Sequence, residues 1–210
     1  MRALIIGASS EKSIGYHIGE HWKRHGHRVA YMSRSGALGY ACDVSVVNKL
    51  ERIFKRVRPQ IIVLAVGIAL QRSAIDSFDD WQAQRQDIWA RGVGSLATMI
   101  ATQRRQSATH LIALGGRERF DDPKLGAYAV SNGALWGMVQ HANAHARFDA
   151  WYVDMPFVIG SANAETLRAA GLHTGPEIAK AIHVEDVVHT VDEILAGQHK
   201  PGRIILGNSS

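Results

Sequence analysis

Cysteine and proline are scarce in this chain, at one Cys and five Pro in 210 residues. The lone Cys42 excludes an internal disulfide and fits a reducing compartment. Long hydrophobic runs are missing as well. The longest, Ile61 to Leu70, falls short of the roughly 20 residues that a bilayer span needs. Met1-Arg2 leads straight into a strand-like run, without the apolar segment and cleavage site of a signal peptide, so a cytoplasmic protein is expected. No repeat, low-complexity tract or Pro/Ser-rich linker breaks the sequence, which predicts one domain over residues 1–210.

Charge is nearly balanced, with a formal net value of +5. The basic residues come in scattered groups (Lys23-Arg24, Lys55-Arg56-Arg58, Arg104-Arg105), as they do at helix C-termini. An aromatic-interleaved basic ribbon is absent, so neither nucleic acid nor a membrane is expected as a partner. His17, His21 and His25 recur every four residues, and His141 and His145 form another such pair. Without a third ligand or a His-Glu-x2-His motif they read as solvated helix faces, and no metal is expected. Ser131 lacks the Gly-x-Ser-x-Gly elbow of hydrolases.

What the chain has is glycine and alternation. Twenty glycines and 46% hydrophobic residues accompany short apolar runs that alternate with helical patterns. The runs are Ala3–Ile6, Arg28–Met32, Tyr40–Cys42, Ile61–Val66, His110–Leu114, Ala150–Asp154 and Arg203–Leu206. Helical patterns fall at about 13–25, 45–57, 78–106, 126–147 and 184–196. A run such as Ile61–Val66 is apolar throughout, as in a parallel strand buried on both faces. The expected fold is α/β: a doubly wound, Rossmann-like parallel sheet whose ligands lie at the C-terminal strand ends. Ser33–Gly39 is too short for a helix, so one crossover is expected to be a loop.

The most telling stretch is Arg2 to Gly15, an apolar run that enters a small-residue loop and then a helix. That order holds a pyrophosphate: Gly7 turns tightly, small residues admit phosphate oxygens, and helix N-terminal amides at Gly15 face the anion. The second strand ends in Ser33-Arg34, where an acidic residue for the ribose diol normally stands. A guanidinium there pairs with a 2′-phosphate that a carboxylate would repel. Arg34 with Ser33, helped by Lys12, therefore predicts NADP(H) over NAD(H). Asp43 and Val44 offer an acceptor and an apolar wall beside the adenine. Ala65, Val66 and Gly67 close the fourth strand with small residues where the coenzyme must approach backbone.

Taken together, these residues resemble the short-chain dehydrogenase/reductase family along nearly the whole chain. The first 70 residues look most like its divergent branch, the enoyl-acyl-carrier-protein reductases. The usual family loop is Gly-x3-Gly-x-Gly; here Gly7 to Gly15 is two residues longer and carries Ser13-Ile14, and Cys42-Asp43-Val44 also matches that branch. The resemblance implies that Ser9, Ser13 and Ile14 line the pyrophosphate, Asp43 and Val44 the adenine, and Gly67 the nicotinamide ribose. Pro156-Phe157-Val158-Ile159-Gly160-Ser161 resembles the Pro-Gly-x-Ile-x-Thr stretch of the family. Val158, Ile159 and Ser161 would then touch the carboxamide.

In the catalytic half the pattern breaks. Gly126 to Ala134 resembles the Tyr-x3-Lys segment, in which Tyr is the acid/base and Lys holds the ribose and lowers the Tyr pKa. Tyr128 is present, but Asn132 stands where Lys belongs, and the alternative spacing of the enoyl reductases lands on Leu135. Gly115-Gly116 occupies the place of the catalytic Ser, with a glycine amide as its substitute, and Trp89 that of the fourth-helix Asn. An oxidoreductase reducing a small carbonyl or activated alkene is expected, with Tyr128 as donor, Asn132 as ribose anchor and Gly115 in the serine position. The alternatives are a catalytically silent dinucleotide-binding sensor or partner subunit, and a lyase or isomerase that reuses the pocket. Trp81, Trp89 and Trp136 sit on helices that often pair between subunits in this family, so a homodimer or homotetramer is expected.

Overall fold

Ala3, Leu4, Ile5 and Ile6 are all buried, and in the computed structural model they belong to the strand on which the sheet is built. The structure describes residues 1–66, 92, 94, 96–102, 109–116, 126–145 (backbone only at 126–128), 148–162, 164–165 and 181–207. Strands β1 (Arg2–Ile6), β2 (Arg28–Ser33), β3 (Tyr40–Ala41), β4 (Ile61–Leu64), β5 (His110–Gly116) and β6 (Asp149–Met155) join a sheet that ends with β9 (Gly202–Ile205). Their order is β3-β2-β1-β4-β5-β6-β9, and every pairing is parallel. A separate two-stranded parallel ladder, β7 (Val158–Ile159) with β8 (Ile182–His183), was not visible in the residue pattern.

Alternation along each strand sends side chains to two cores. Leu4, Ile6, Ile62 and Leu64 pack on the side of α2 (Val47–Val57), a helical segment over 96–102, and α3 (Gly126–His145). Ala3, Ile5, Ile61 and Val63 pack on the side of α1 (Ile14–Arg24) and α4 (Val184–Leu195). Helices on both faces make this the doubly wound sheet that the near-continuous apolar strands predict. In α1 the buried set Gly15, Ile18, Gly19 and Trp22 follows one helical face, and in α4 so do Val184, Val187, Val191 and Ile194. The expected helix at 78–106 is helical at 92, 94 and over 96–102, and the rest of its span, with Trp81 and Trp89, lies outside the described residues.

Two expectations shift. The His stripe of α1 is not simply solvated: His21 Nε2 lies 2.6 Å from Asp192 Oδ2 of α4, and the Trp22 indole donates to Asp192 Oδ1 at 2.8 Å. Asp192 thus locks the two helices of one layer together. Trp136 is half-buried over the Tyr152 ring, with centroids 6.0 Å apart. The β2–β3 connection is a loop, as its length requires. Among the described residues no helix is long and apolar enough to cross a membrane.

One backbone contact fixes the ligand end of the sheet. Gly7 has φ +105°, and a Cβ on it would stand 2.5 Å from the Ala65 carbonyl carbon and 2.7 Å from the Val66 nitrogen. Gly26 has φ +79° with open space around its missing Cβ. Gly7→Ala is therefore expected to lower stability by at least about 2 kcal/mol, since strain and overlap add, and Gly26→Ala by only about 1. Urea denaturation of both variants checks this; equal losses would mean that Gly7 is kept for its dihedral angle alone.

Candidate functional site

The C-terminal ends of β1, β2 and β4 converge around the loop 7–13. The Gly7 amide donates to Met32 O at 2.8 Å and the Ala65 amide to Ile6 O at 2.7 Å, so the chain leaves β1 flat against its neighbours. A Cβ on Gly15 would lie 2.9 Å from Ile5 Cγ2 and 3.1 Å from Ala65 Cβ. Gly7 and Gly15 thus both press on Ala65, which seats the start of α1 directly on the strand ends. Among the described residues no side chain caps α1, and its first turn holds no acidic residue. The Ser13 hydroxyl turns back to Ser10 O at 2.6 Å. The Tyr16 amide closes on Ser13 O at 2.9 Å, so the Ile14 and Gly15 amides carry the partial positive charge of the helix start at the loop. The positive end of a helix seated on the strand ends suits an anion such as a diphosphate.

The remaining nucleotide positions cluster at the same edge. Ser33 is buried, and its hydroxyl accepts from the Gly36 amide at 3.1 Å; Arg34 beside it is exposed. Asp43 Oδ1 accepts from the hydroxyl and the amide of Ser45 at 2.7 and 2.8 Å. The Ser45 hydroxyl, its amide and the nearby Arg34 guanidinium hold the Asp43 carboxyl below the usual carboxylate range. Val44 is buried, and a Cβ on Gly94 would collide with it. Burial pushes the neighbouring Cys42 thiol up, so it stays protonated and inert. Ala65 and Val66 are half-buried at the end of β4, Ser9 is exposed and Ile14 half-buried, and Gly67 lies outside the described residues.

At the other end of the crevice, Val158 and Ser161 are buried and Ile159 half-buried. The Ser161 hydroxyl donates to Val158 O at 2.8 Å and accepts from the Ala164 amide at 3.2 Å. The chain after β7 then meets the loop 7–13. The Ala162 amide donates to Lys12 O at 2.8 Å, and Lys12 Nζ pairs with Glu165 Oε2 at 2.6 Å. Lys12 is thus engaged by Glu165, a residue the sequence gave no reason to select.

The catalytic positions differ most from expectation. Tyr128 lies in the first turn of α3, one turn before Asn132; its side chain is outside the described residues. Asn132 is fully buried, and its Oδ1 accepts from the Gly116 amide at 3.3 Å. Of the two glycine amides expected to stand in for the serine hydroxyl, Gly115 or Gly116, that of Gly116 is therefore already engaged. Tyr152 of β6 donates its hydroxyl to Gly116 O at 2.8 Å, so Asn132 and Tyr152 hold the two ends of one residue's backbone. A Cβ on Gly115 would overlap the Tyr152 ring, at 2.6 Å from Cζ. Beside Gly115 in the sheet register stands Asp154, buried and paired with Arg203 Nη2 at 2.6 Å and Nε at 3.2 Å. Neither Tyr152 nor this ion pair was marked by the sequence, because both depend on strand register.

A cavity of about 280 Å³ lies elsewhere, between α1 and α4, with His17, His21, Arg24 and Glu185 in its lining. It is remote from the convergent strand ends, and among the described residues no group of His, Cys, Asp or Glu is arranged to hold a metal ion.

No family model matches the chain, and no curated protein matches it in sequence. Its backbone is similar to several solved structures. The protein lin1944 from Listeria innocua is 15% identical, with 98% of this chain and 99% of that chain covered and a TM-score of 0.75. A short chain dehydrogenase from Burkholderia cenocepacia J2315, in complex with NADP, is 17% identical over 97% of this chain and 87% of its own, with a TM-score of 0.76. A 4-hydroxyisoleucine dehydrogenase complexed with NADH is 13% identical over 98% and 96%, also with a TM-score of 0.76. Identities this low carry the fold: the chain shares the Rossmann-like, doubly wound α/β architecture of these structures.

Proposed function

We propose that this protein belongs with the short-chain dehydrogenases/reductases, binds NADP(H) at the C-terminal ends of β1, β2 and β4, and reduces a small carbonyl or activated alkene. The observation that carries the proposal is the joint approach of Gly7 and Gly15 to Ala65, which seats the amide end of α1 on the strand ends, where a diphosphate would meet it. Both NADP and NADH occur in the similar structures, so coenzyme preference rests on Arg34. Its exposed guanidinium at the end of β2 suits a 2′-phosphate.

The coenzyme supplies the hydride. Tyr128 supplies the proton, because an unperturbed tyrosine titrates near ~10 and no cation stands at Asn132 to lower it. The oxidative direction needs a tyrosinate, and about three units of lowering would take about 4 kcal/mol. The chain therefore favours reduction. With Gly115 in place of serine and the Gly116 amide held by Asn132, one oxyanion donor is lost, which typically costs about 10²–10³ in rate. Asn132 acts on the site through the Gly116 backbone.

A second reading has its own observation. The Tyr152 ring fills the space a serine Cβ would need at Gly115, as in a site refitted for packing. On this reading the protein is a dinucleotide sensor or the binding partner of a catalytic subunit. Titration with NADPH and NADH, then a carbonyl panel followed by NADPH oxidation, separates the two: binding with turnover supports the reductase, and tight binding without turnover the sensor. No binding of either coenzyme would remove both.

Arg34→Ala is expected to weaken NADPH about 10- to 100-fold, the worth of a charged hydrogen bond, and to leave NADH unchanged. Calorimetry decides it, and surviving selectivity would clear Arg34 of the role. Tyr128→Phe should cut NADPH-dependent turnover by about 10²-fold or more without changing NADPH affinity; unaltered turnover would exclude Tyr128 as donor. Gly115→Ser should destabilise the fold by about 1–3 kcal/mol through overlap with Tyr152. Adding Tyr152→Val should recover part of that loss relative to Tyr152→Val alone. A Gly115→Ser protein as stable as the parent in thermal melts would show that the Tyr152 ring does not bar the serine.

A further inference from the structure

Lys12 sits in the phosphate loop just ahead of α1, and Glu165 follows the short strand β7 on the far side of the crevice. Their charged groups meet at 2.6 Å. Beneath them the Ala162 amide donates to Lys12 O at 2.8 Å, so main chain and side chains tie the same two segments. The pair is well solvated, with side-chain exposures of 64% and 50%, and it carries no packing that would explain its position. The rest of the loop holds small residues, uncapped helix amides and the exposed carboxylate of Glu11, so Lys12 brings a full positive charge to that end of the crevice, and Glu165 already neutralises it.

We propose that Glu165 is an internal competitor for the coenzyme's phosphate groups: its carboxylate occupies Lys12 in the free protein and yields it when the dinucleotide binds. This rests on the coenzyme reading above. A phosphate oxygen and a carboxylate oxygen accept the same ammonium donors, so the two states exchange one charge-assisted bond for another. Binding then costs the protein the Lys12–Glu165 pair and brings an uncompensated carboxylate near the diphosphate. Both effects weaken binding, and salt screens both. The Ala162–Lys12 backbone bond survives the exchange, so the loop keeps its place while the side chain swings.

The test is a double-mutant cycle on NADPH affinity, read by calorimetry and by fluorescence of the bound coenzyme. Glu165→Gln is expected to tighten NADPH about two- to fivefold, the range of an exposed ion pair. Lys12→Gln should weaken it, and Glu165→Gln should gain less when placed on Lys12→Gln, where only the repulsion of the diphosphate is left to relieve. The advantage of Glu165→Gln should shrink from 50 mM to about 500 mM NaCl. Both residues are exposed, so the variants are expected to melt with the parent protein, and coincident melting curves establish that they fold. An unchanged or weaker affinity in Glu165→Gln, with the parent binding NADPH normally, overturns the competition and leaves the coenzyme reading intact. An equal gain in the Lys12→Gln background also overturns it, because the effect would then not pass through Lys12. If the parent binds no NADPH but Glu165→Gln does, the competition is supported in its strongest form. Failure of both to bind overturns the competition together with the coenzyme reading.

Discussion

The contact of the Gly7 backbone with the Ala65 peptide governs everything at the ligand end of this sheet. A side chain at position 7 would hold β1 and β4 apart beyond their last ladder bond, and the start of α1 would lift away with the loop. Because Gly15 presses on Ile5 and Ala65 as well, the helix begins within contact distance of two strand ends. Its first amides are thereby aimed into the crevice without any charged side chain to aim them. Most of the chain's buried area serves this geometry: two cores, one on each face of the sheet, keep β1 and β4 from sliding. Burying each large aliphatic side chain contributes about 1.5–3 kcal/mol, so the strand ends rest on a well-packed base.

The end of β5 follows a different logic. In a reductase a hydroxyl there would stabilise developing negative charge. In this chain Asn132 and Tyr152 take the amide and carbonyl of Gly116, and the Tyr152 ring lies against the bare face of Gly115. A buried tyrosine needs a partner for its hydroxyl, and an exposed face of glycine next to it leaves room for the ring. The three residues are therefore a set: a serine at 115 evicts the ring, and a lysine at 132 buries a charge and releases the Gly116 amide. Placing a serine at 115 and a lysine at 132 would be a change of packing before it is a change of chemistry. That coupling ties residues 115, 132 and 152 to one another through the Gly116 backbone and the bare face of Gly115.

How far the sequence foretold this depends on whether a feature is local. The seven strands of the main sheet, the loop crossover at Ser33–Gly39 and the tight turn at Gly7 come from short-range pattern and were legible. So was the missing charge at Asn132, since a residue type can be read directly. Features that depend on which residues face each other across the sheet were not. Tyr152 meets Gly115 only because β5 and β6 pair with Gly115 opposite Asp154, and nothing in either strand states that register. Asp154 with Arg203 is hidden in the same way, as is Lys12 with Glu165, 153 residues apart. The two-residue strands β7 and β8 are too short for alternation to mark them. Asp192 was overlooked because an acidic residue on a helix reads as solvated until the neighbouring helix supplies His21 and Trp22.

Five of the polar side chains that the sequence nominated as ligands share one trait in the folded chain. Ser13 binds Ser10 O, Ser33 holds the Gly36 amide, Asp43 holds Ser45, Ser161 bridges Val158 and Ala164, and Asn132 holds Gly116. Each braces a turn at a strand end or helix start. Their oxygen atoms fix the backbone, and the backbone in turn presents the amides. Such an arrangement lowers the ordering cost of binding, because the donors are already in place when an anion arrives. It also means that replacing one of these hydroxyls acts first on loop geometry. On the proposed coenzyme reading, affinity for a dinucleotide would be set by main-chain amides, which read no base or ribose, while discrimination would fall to the few charges that stand clear of the braces. Arg34 is such a charge, exposed beside a carboxylate that its own field helps to keep ionised. On that reading selectivity and affinity would be carried by different atoms, and a substitution would alter one without the other.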